Sequence, residues 1–458
     1  MSGARALSTS KAIQSFPTEG KYPLYYFPDL NLLTLDGEAP SDLAIAESFK
    51  DTLLRFFLGI RRLVALKEAL QTPRVLFVEP WRTCNLACTY CYAGAGPSPQ
   101  KRIEAGALKA LIKGYSFRRV LVFGGEPLID AQFLIELYKD RQWDSLFFSS
   151  NGILLDHPST QKLITLPNVH FQVSLEPREW SSRVTVDGKK QFDLLVPRLR
   201  LLCNSRPQLR VTIPCDAPYV PLKGFIEGLV QAIGSLQFSI SYWPAHAAAP
   251  APWLENWIQE SYELVRDDYD GRYAGKLPGC QLGSYFLEMA EKGFRFCNCN
   301  AAYGSVAVSP EGKLHGCHEL AIAESDRDNV STSNEPQVID EAKRLDLVYK
   351  WSNGMHDPCC TQCSARYVCG GVCFVLERPN AACLFLQHML RLVLTEMVRY
   401  QPTETLALAS RSEERLTQLL SLKEKLREEV NSEKWKQLAY GELPLAEAAE
   451  LAERLLDT

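Results

Sequence analysis

Cys84, Cys88 and Cys91 fall within Arg82-Thr-Cys-Asn-Leu-Ala-Cys-Thr-Tyr-Cys-Tyr92, a C-x3-C-x2-C run directly after an apolar stretch. Three thiolates this close can hold three irons of a [4Fe–4S] cluster and leave the fourth iron without a protein donor. A cluster fixed by four cysteines commonly carries electrons, whereas an open iron can chelate a substrate. The competing use of such a run is a structural zinc knuckle. Zinc sites pair C-x2–4-C with a second pair of Cys or His, and none follows nearby, so the spacing favours iron and sulfur.

A second cysteine group lies far downstream. Cys360-x2-Cys363-x5-Cys369-x3-Cys373 is followed by Cys383 and preceded by Cys299-x12-Gly312-x4-Cys317, with Cys297 and Cys280 just ahead. No signal-peptide core opens the chain, so ligation is preferred over disulfides for its 15 cysteines, in a cytoplasmic setting. A pair of zinc ribbons is the plainer alternative for the second group. Cys203, Cys215 and Cys359 read as buried or spare thiols.

The elements that must position these residues are legible as alternation. Apolar strands are expected at Val75–Glu79, Val120–Phe123, Leu146–Ser149, Phe171–Leu175, Arg210–Pro214 and Phe238–Trp243. Helical patterns fall near 102–114, 130–140, 158–165, 191–203, 221–233 and 253–266. Strands alternating with helices predict βαβ units and a parallel sheet. Six units without a seventh and eighth predict an α/β fold, a partial (β/α)6 barrel akin to a TIM barrel. Functional groups in such barrels project from the C-terminal strand ends. There stand the cysteine loop, Gly124-Gly-Glu-Pro127, Ser149-Ser-Asn-Gly152 and Ser174-Leu-Glu176. Two glycines permit close backbone approach to a ligand.

The domain expectation follows. Residues 1–73 form a cap, 74–275 the barrel, 280–390 a cysteine-rich domain and 391–458 a helical extension. In the cap, Tyr22–Pro28 and Asn31–Leu35 read as a hairpin followed by a helix over about 41–70. Residues 1–16 read as a disordered tail. A net charge of −4 and a pI of about 6.1 exclude a global basic field for nucleic acid or anionic membrane. No apolar run is long enough to cross a bilayer.

The first cysteine run, with Tyr90 before its third cysteine, resembles the signature of radical S-adenosylmethionine (SAM) enzymes. The resemblance covers about residues 74–383. It implies that the open iron holds the amino and carboxylate groups of SAM, and that reduction yields methionine and a 5′-deoxyadenosyl radical. It implies that Gly124, Gly125 and Glu126 hold the SAM amino group, that Ser150 and Asn151 contact the ribose, and that Ser174 and Arg183 approach the cofactor. Arg183 is matched to the carboxylate, where a fixed fork of donors suits bidentate binding. Glu176 stands where relatives carry aspartate.

The second group resembles the SPASM domain of peptide-modifying members, which carries two auxiliary [4Fe–4S] clusters, three in all with the first. By that resemblance one auxiliary cluster uses Cys299, Cys317, Cys373 and, as fourth ligand, Cys297 or Cys280. The other uses Cys360, Cys363, Cys369 and Cys383. Cys297 and Cys299 are tightly spaced, so the first auxiliary cluster could itself keep an open iron. His318 follows Cys317 where sulfatase-maturing relatives place an aspartate base, which nominates His318 as a proton acceptor.

The expectation is a radical SAM/SPASM peptide maturase. It would cross-link a ribosomally made precursor peptide through a C–C (a cyclophane included), ether or thioether bond, with its leader docked on Tyr22–Leu35. A flavodoxin or ferredoxin would supply electrons. The alternatives are oxidation of Ser or Cys in a protein client, and a non-catalytic peptide-binding scaffold.

Overall fold

A computed structural model describes residues 74–113, 115–139, 143–202, 208–233, 239–244, 250–269, 304–322, 339–351, 381–392 and 417–456. It also describes the backbone of 14–16, 24–27 and 32–34 and short stretches within 55–67, 358–365 and 411–414. The chain divides into two compact units.

The unit of Glu68–Gln281 and Asn300–Val348 is built on one eight-stranded sheet. With β1–β3 assigned to the N-terminal strands, its members in chain order are β4 (Val75–Val78), β5 (Arg119–Val122), β6 (Ser145–Ser150), β7 (Val169–Leu175), β8 (Gln208–Ile213), β9 (Ser239–Pro244), β10 (Ser305–Val308) and β11 (Leu314–His315). Their spatial order is β11-β10-β4-β5-β6-β7-β8-β9. All pairings are parallel except β10–β11.

The six expected strands and their helices are present, each within a few residues of its expected ends. Strand order follows sequence order from β4 to β9, with a helix between each successive pair. The open, mostly parallel sheet is the architecture of a partial barrel. A seventh parallel strand, β10, corrects the count of six. Its segment Ser-Val-Ala-Val is only four residues long and is buried throughout, so no alternation marked it.

Alternation along the strands divides the labour. Leu146, Phe148, Val173, Leu175, Leu209, Val211 and Ile213 are buried, while Ser149, Gln172, Ser174, Arg210 and Thr212 between them line a cavity. Each fully buried apolar side chain contributes roughly 1.5–3 kcal/mol, so one strand face stabilises the unit and the other is left for chemistry.

The second unit comprises Met1–Lys67, Leu282–Cys299 and Tyr349–Thr458. Its sheet has three antiparallel strands in the order β1 (Gln14–Phe16), β2 (Leu24–Phe27) and β3 (Leu32–Thr34). The expected hairpin is β2–β3. β1 lies within the segment read as a disordered tail, a correction that strand pairing supplied. The helix expected over 41–70 is described only in parts of 55–67, where Trp435 stacks on Phe56 at 6.3 Å and its indole N–H donates to the Arg55 carbonyl at 3.2 Å. The helical extension includes Glu433–Tyr440 and Leu445–Leu456. Among the described residues no helix is long and apolar enough to cross a membrane.

Candidate functional site

The cysteine loop follows β4 and is held from two sides. Cys84 N–H donates to the Gly96 carbonyl at 2.7 Å, Ala87 N–H to Val184 at 2.8 Å and Thr89 N–H to Ser182 at 3.0 Å. The segment around Arg183 therefore braces the loop.

The Gly124-Gly-Glu turn after β5 is laced to the same loop. Gly125 N–H donates to the Trp81 carbonyl at 3.0 Å, Glu126 N–H to Thr83 at 2.9 Å, and the Trp81 indole returns to the Glu126 carbonyl at 3.1 Å. A Cβ on Gly125 would stand 2.1 Å from the Thr83 carbonyl oxygen. Gly124 has φ +110, and a Cβ there would meet Glu79 and the Trp81 carbonyl. The glycines are thus required by approach to the cysteine loop itself, which refines the expectation that they serve a ligand.

Glu126 is buried, and its two carboxylate oxygens accept three hydrogen bonds. One carboxylate oxygen accepts from Leu128 N–H at 3.0 Å and the Ser150 hydroxyl at 2.8 Å, and the other accepts from Asn151 N–H at 2.7 Å. Burial pushes its pKa up to about 7 despite these bonds. Asn151 donates its side-chain amide to Asn85 at 2.6 Å and toward the Cys84 sulfur at 3.7 Å.

Arg183 donates to the Tyr90 hydroxyl at 2.6 Å and lies over its ring at 5.4 Å, with the Cys88 sulfur at 4.0 Å. Glu176 accepts the Arg183 backbone N–H at 2.8 Å. Glu176 therefore anchors the loop that carries Arg183.

One cavity of about 330 Å³ is lined by Cys84, Cys88, Cys91, Tyr90, Gly124, Gly125, Glu126, Ser150, Asn151, Ser174, Arg183 and His318. The structure brings these nominated residues together. His318 begins the helix His318–Ile322, packs at 5.0 Å from Phe77 and 5.3 Å from Phe123, and pairs with Glu319 at 3.2 Å. Cys317 is buried beside it.

In the other unit Cys360 is buried, and Cys363 accepts from Gln387 at 3.3 Å. Gln387 is four residues along its helix from Cys383, on the same face. Cys297, Cys299, Cys369 and Cys373 lie outside the described residues, as do Cys203 and Cys280. Cys215 and Cys359 are exposed, which corrects the expectation of burial for both.

Sequence reasoning missed five contributors. Gln191 donates to the Asn151 and Ser174 carbonyls at 2.6 Å each, tying two strand ends together. Glu79 pairs with Arg82 at 3.1 Å beneath Gly124, and Arg82 also donates to the Ala321 carbonyl at 3.1 Å. Arg210 and Thr212 reach the cavity from β8. A buried Gln opening a helix and an Arg within an apolar strand were the available signals.

The donor set fits a cluster with an open iron. Leu86 N–H points at the Cys84 sulfur at 3.4 Å and Ala95 N–H at the Cys91 sulfur at 3.3 Å. Hydrogen bonds to cluster sulfurs are among the means by which proteins tune such clusters. Burial pushes the Cys84 thiol up to about 12, so ligation there must release a proton.

Comparison with known proteins agrees with this chemistry. Residues 78–177 match the radical SAM superfamily model. The mycofactocin maturase MftC of Mycolicibacterium smegmatis is 29% identical over 146 residues, covering 30% of this chain and 36% of that one. The GTP 3′,8-cyclase of Chlorobaculum tepidum is 34% identical over 137 residues, 28% of this chain and 41% of that one. The chain thus spans well under half the length of these two curated relatives. A serine-type anaerobic sulfatase-maturating enzyme of Klebsiella aerogenes is 22% identical over 63% of this chain and 76% of its own. Native anSMEcpe with bound AdoMet superposes with TM-score 0.53 at 14% identity, covering 74% of this chain and all of that one. That likeness shows the fold.

Proposed function

We propose that this protein is a radical SAM enzyme that modifies a ribosomally made precursor peptide and installs an intramolecular cross-link. The observation that carries the reading is the convergence on one cavity of three cysteines, a Gly-Gly-Glu turn, Ser150, Asn151 and Arg183. Cys84, Cys88 and Cys91 would hold a [4Fe–4S] cluster. Bound there, the reduced cluster supplies the electron that splits SAM into methionine and a 5′-deoxyadenosyl radical able to take hydrogen from an unactivated C–H.

The chain's own residues then do the positioning. Glu126 presents a buried carboxylate to the cofactor's ammonium, and its Ser150 and Asn151 partners keep it from turning away. Arg183, fixed by Tyr90, faces the cofactor's carboxylate beside Cys88. His318, backed by two phenylalanines and Glu319, takes a proton from the substrate. Cys297, Cys299, Cys317 and Cys373, with Cys360, Cys363, Cys369 and Cys383, would hold two auxiliary clusters. A flavodoxin or ferredoxin would reduce the cluster held by Cys84, Cys88 and Cys91, the auxiliary clusters would accept the electron left when the peptide radical closes the cross-link, and the β2–β3 hairpin would receive the leader.

The test is anaerobic reconstitution with iron, sulfide, SAM and dithionite, with 5′-deoxyadenosine as readout. Wild type should form it, and joint replacement of Cys84, Cys88 and Cys91 by Ala should abolish it. A wild-type protein that binds zinc and yields no 5′-deoxyadenosine would sink the reading. Co-expression with a short open reading frame beside the gene then gives the product. A cross-link loses two daltons and resists fragmentation inside the ring. The long alignment with a sulfatase-maturating enzyme supports a second reading, oxidation of one Ser or Cys in a protein client. That product would lose two daltons at one residue and fragment normally.

A further inference from the structure

Gln191 opens the helix Gln191–Leu199 and is fully buried. Its side-chain amide donates to the Asn151 and Ser174 carbonyls at 2.6 Å each, and its backbone N–H donates to the Arg183 carbonyl at 3.0 Å. All three acceptors belong to residues that line the cavity, and Gln191 stands behind that lining. One residue therefore ties the segment after β6, the end of β7 and the loop that carries Arg183.

The amide is at this position for those carbonyls. A carbonyl oxygen can only accept, so the NH2 group must face both of them. The Gln191 side-chain oxygen is left buried, with no hydrogen-bond partner among the described residues. An unpaired buried acceptor is costly. Packing the helix against the sheet asks for bulk here, which an apolar side chain would supply without that cost.

Each residue that Gln191 holds carries part of the site in turn. Asn151 N–H donates to Glu126 at 2.7 Å, and its side chain donates to Asn85, next to Cys84. Arg183 donates to the Tyr90 hydroxyl, while Val184 and Ser182 on either side accept from Ala87 and Thr89 of the cysteine loop. A shift at Gln191 would reach Glu126 by one route and the cysteine loop by another.

We infer that Gln191 is a positioning residue, which holds Asn151, Ser174 and Arg183 in the arrangement that SAM binding requires. This rests on the proposed function and adds to that site a residue that acts without touching the cofactor.

The test uses Gln191→Met, which keeps length and bulk and removes both side-chain donors. Four quantities are read on the same anaerobically reconstituted samples: iron and sulfide per chain, SAM affinity per loaded cluster, the change SAM causes in the EPR signal of the reduced cluster, and the melting temperature. Losing two hydrogen bonds that hold the pocket should weaken SAM roughly 10-fold or more, with iron content near that of wild type. The EPR change should shrink at matched SAM concentration. Gln191→Glu, kept protonated by its burial, retains one donor and should fall between the two proteins. It also serves if Gln191→Met does not fold.

A lower melting temperature with SAM affinity within about threefold of wild type would make Gln191 a stability residue alone and overturn the inference. Failure of both variants to fold would do the same. A wild type that takes up no iron, or binds no SAM once loaded, would overturn the proposed function and the inference with it.

Discussion

Replacing Glu126 with glutamine keeps the shape of a fully buried side chain and removes its charge. Its two oxygens accept three hydrogen bonds, from Leu128, Ser150 and Asn151. A carboxylate offers about four acceptor sites, so one is left for a cationic ligand. A glutamine can keep an oxygen toward Leu128 and Ser150, but its NH2 then faces the Asn151 N–H, costing about 1–3 kcal/mol. Against this, the native carboxylate carries its own burial penalty. A pKa raised from 4.5 to about 7 corresponds to ~3 kcal/mol at neutral pH and above. The two terms are similar and opposed, so folding stability should change by less than about 2 kcal/mol. SAM affinity has no such offset. Losing a charge-assisted bond to the cofactor's ammonium removes about 1.5–3 kcal/mol, or about 10- to 150-fold in Kd. Equilibrium dialysis of labelled SAM against anaerobically reconstituted protein, with a thermal melt on the same sample, separates the two effects. A Glu126→Gln protein that retains its iron and binds SAM within threefold of wild type would refute the reasoning.

Gly125→Ala should lower iron and sulfide content on reconstitution, because its Cβ can enter only by displacing the Thr83 backbone next to Cys84. Overpacking of this kind costs about 1–3 kcal/mol, readable in the melting temperature. In the other unit, Trp435→Ala should cost about 3–5 kcal/mol in denaturant unfolding, since the indole is 1% exposed and stacked on Phe56. The metal-free protein should lose stability as pH rises from about 4.5 to about 7. Over that range folded Glu126 keeps a proton that the unfolded chain has released, so its contribution is present at low pH and lost through the folded pKa. The difference between wild type and Glu126→Gln in urea midpoints from pH 5 to 8 should show a drop of ~3 kcal/mol; a flat difference would reject the shifted carboxyl.

The barrel strands were legible because helix-facing Leu, Val and Phe alternate with polar residues or stand between turn signals, and the spacing of Cys84, Cys88 and Cys91 is a local pattern. Gly124 and Gly125 were legible as glycines but not in their cause, since the need for them lies in Thr83 and Trp81, about 40 residues earlier in the chain. Ser305–Val308 was missed for a related reason. Its four residues are buried on both faces, so it has no period, and only pairing with β4 makes it a strand. β1 likewise owes its existence to Tyr26 and its neighbours on β2. Local pattern reports which residues want burial; it does not report which distant backbone completes the ladder.

That distant pairing has a chemical consequence. Cys317 and His318 are more than 220 residues from Cys91 along the chain, yet β10 is the immediate neighbour of β4, from which the cysteine loop springs. The turn from β10 through β11 delivers His318 onto Phe77 of β4 and Phe123 at the end of β5, and the Arg82 side chain closes the arrangement on the Ala321 carbonyl. Glu79 N–H donates to the Val308 carbonyl at 2.9 Å, so β4 and β10 remain paired up to the residue where chemistry begins. A segment that reads in sequence as the start of a separate cysteine-rich domain is thereby a structural wall of the barrel. Any displacement of β10 would move His318 and loosen the Glu79–Arg82 pair beneath Gly124 together, which makes the cofactor pocket dependent on residues that no local motif connects to it.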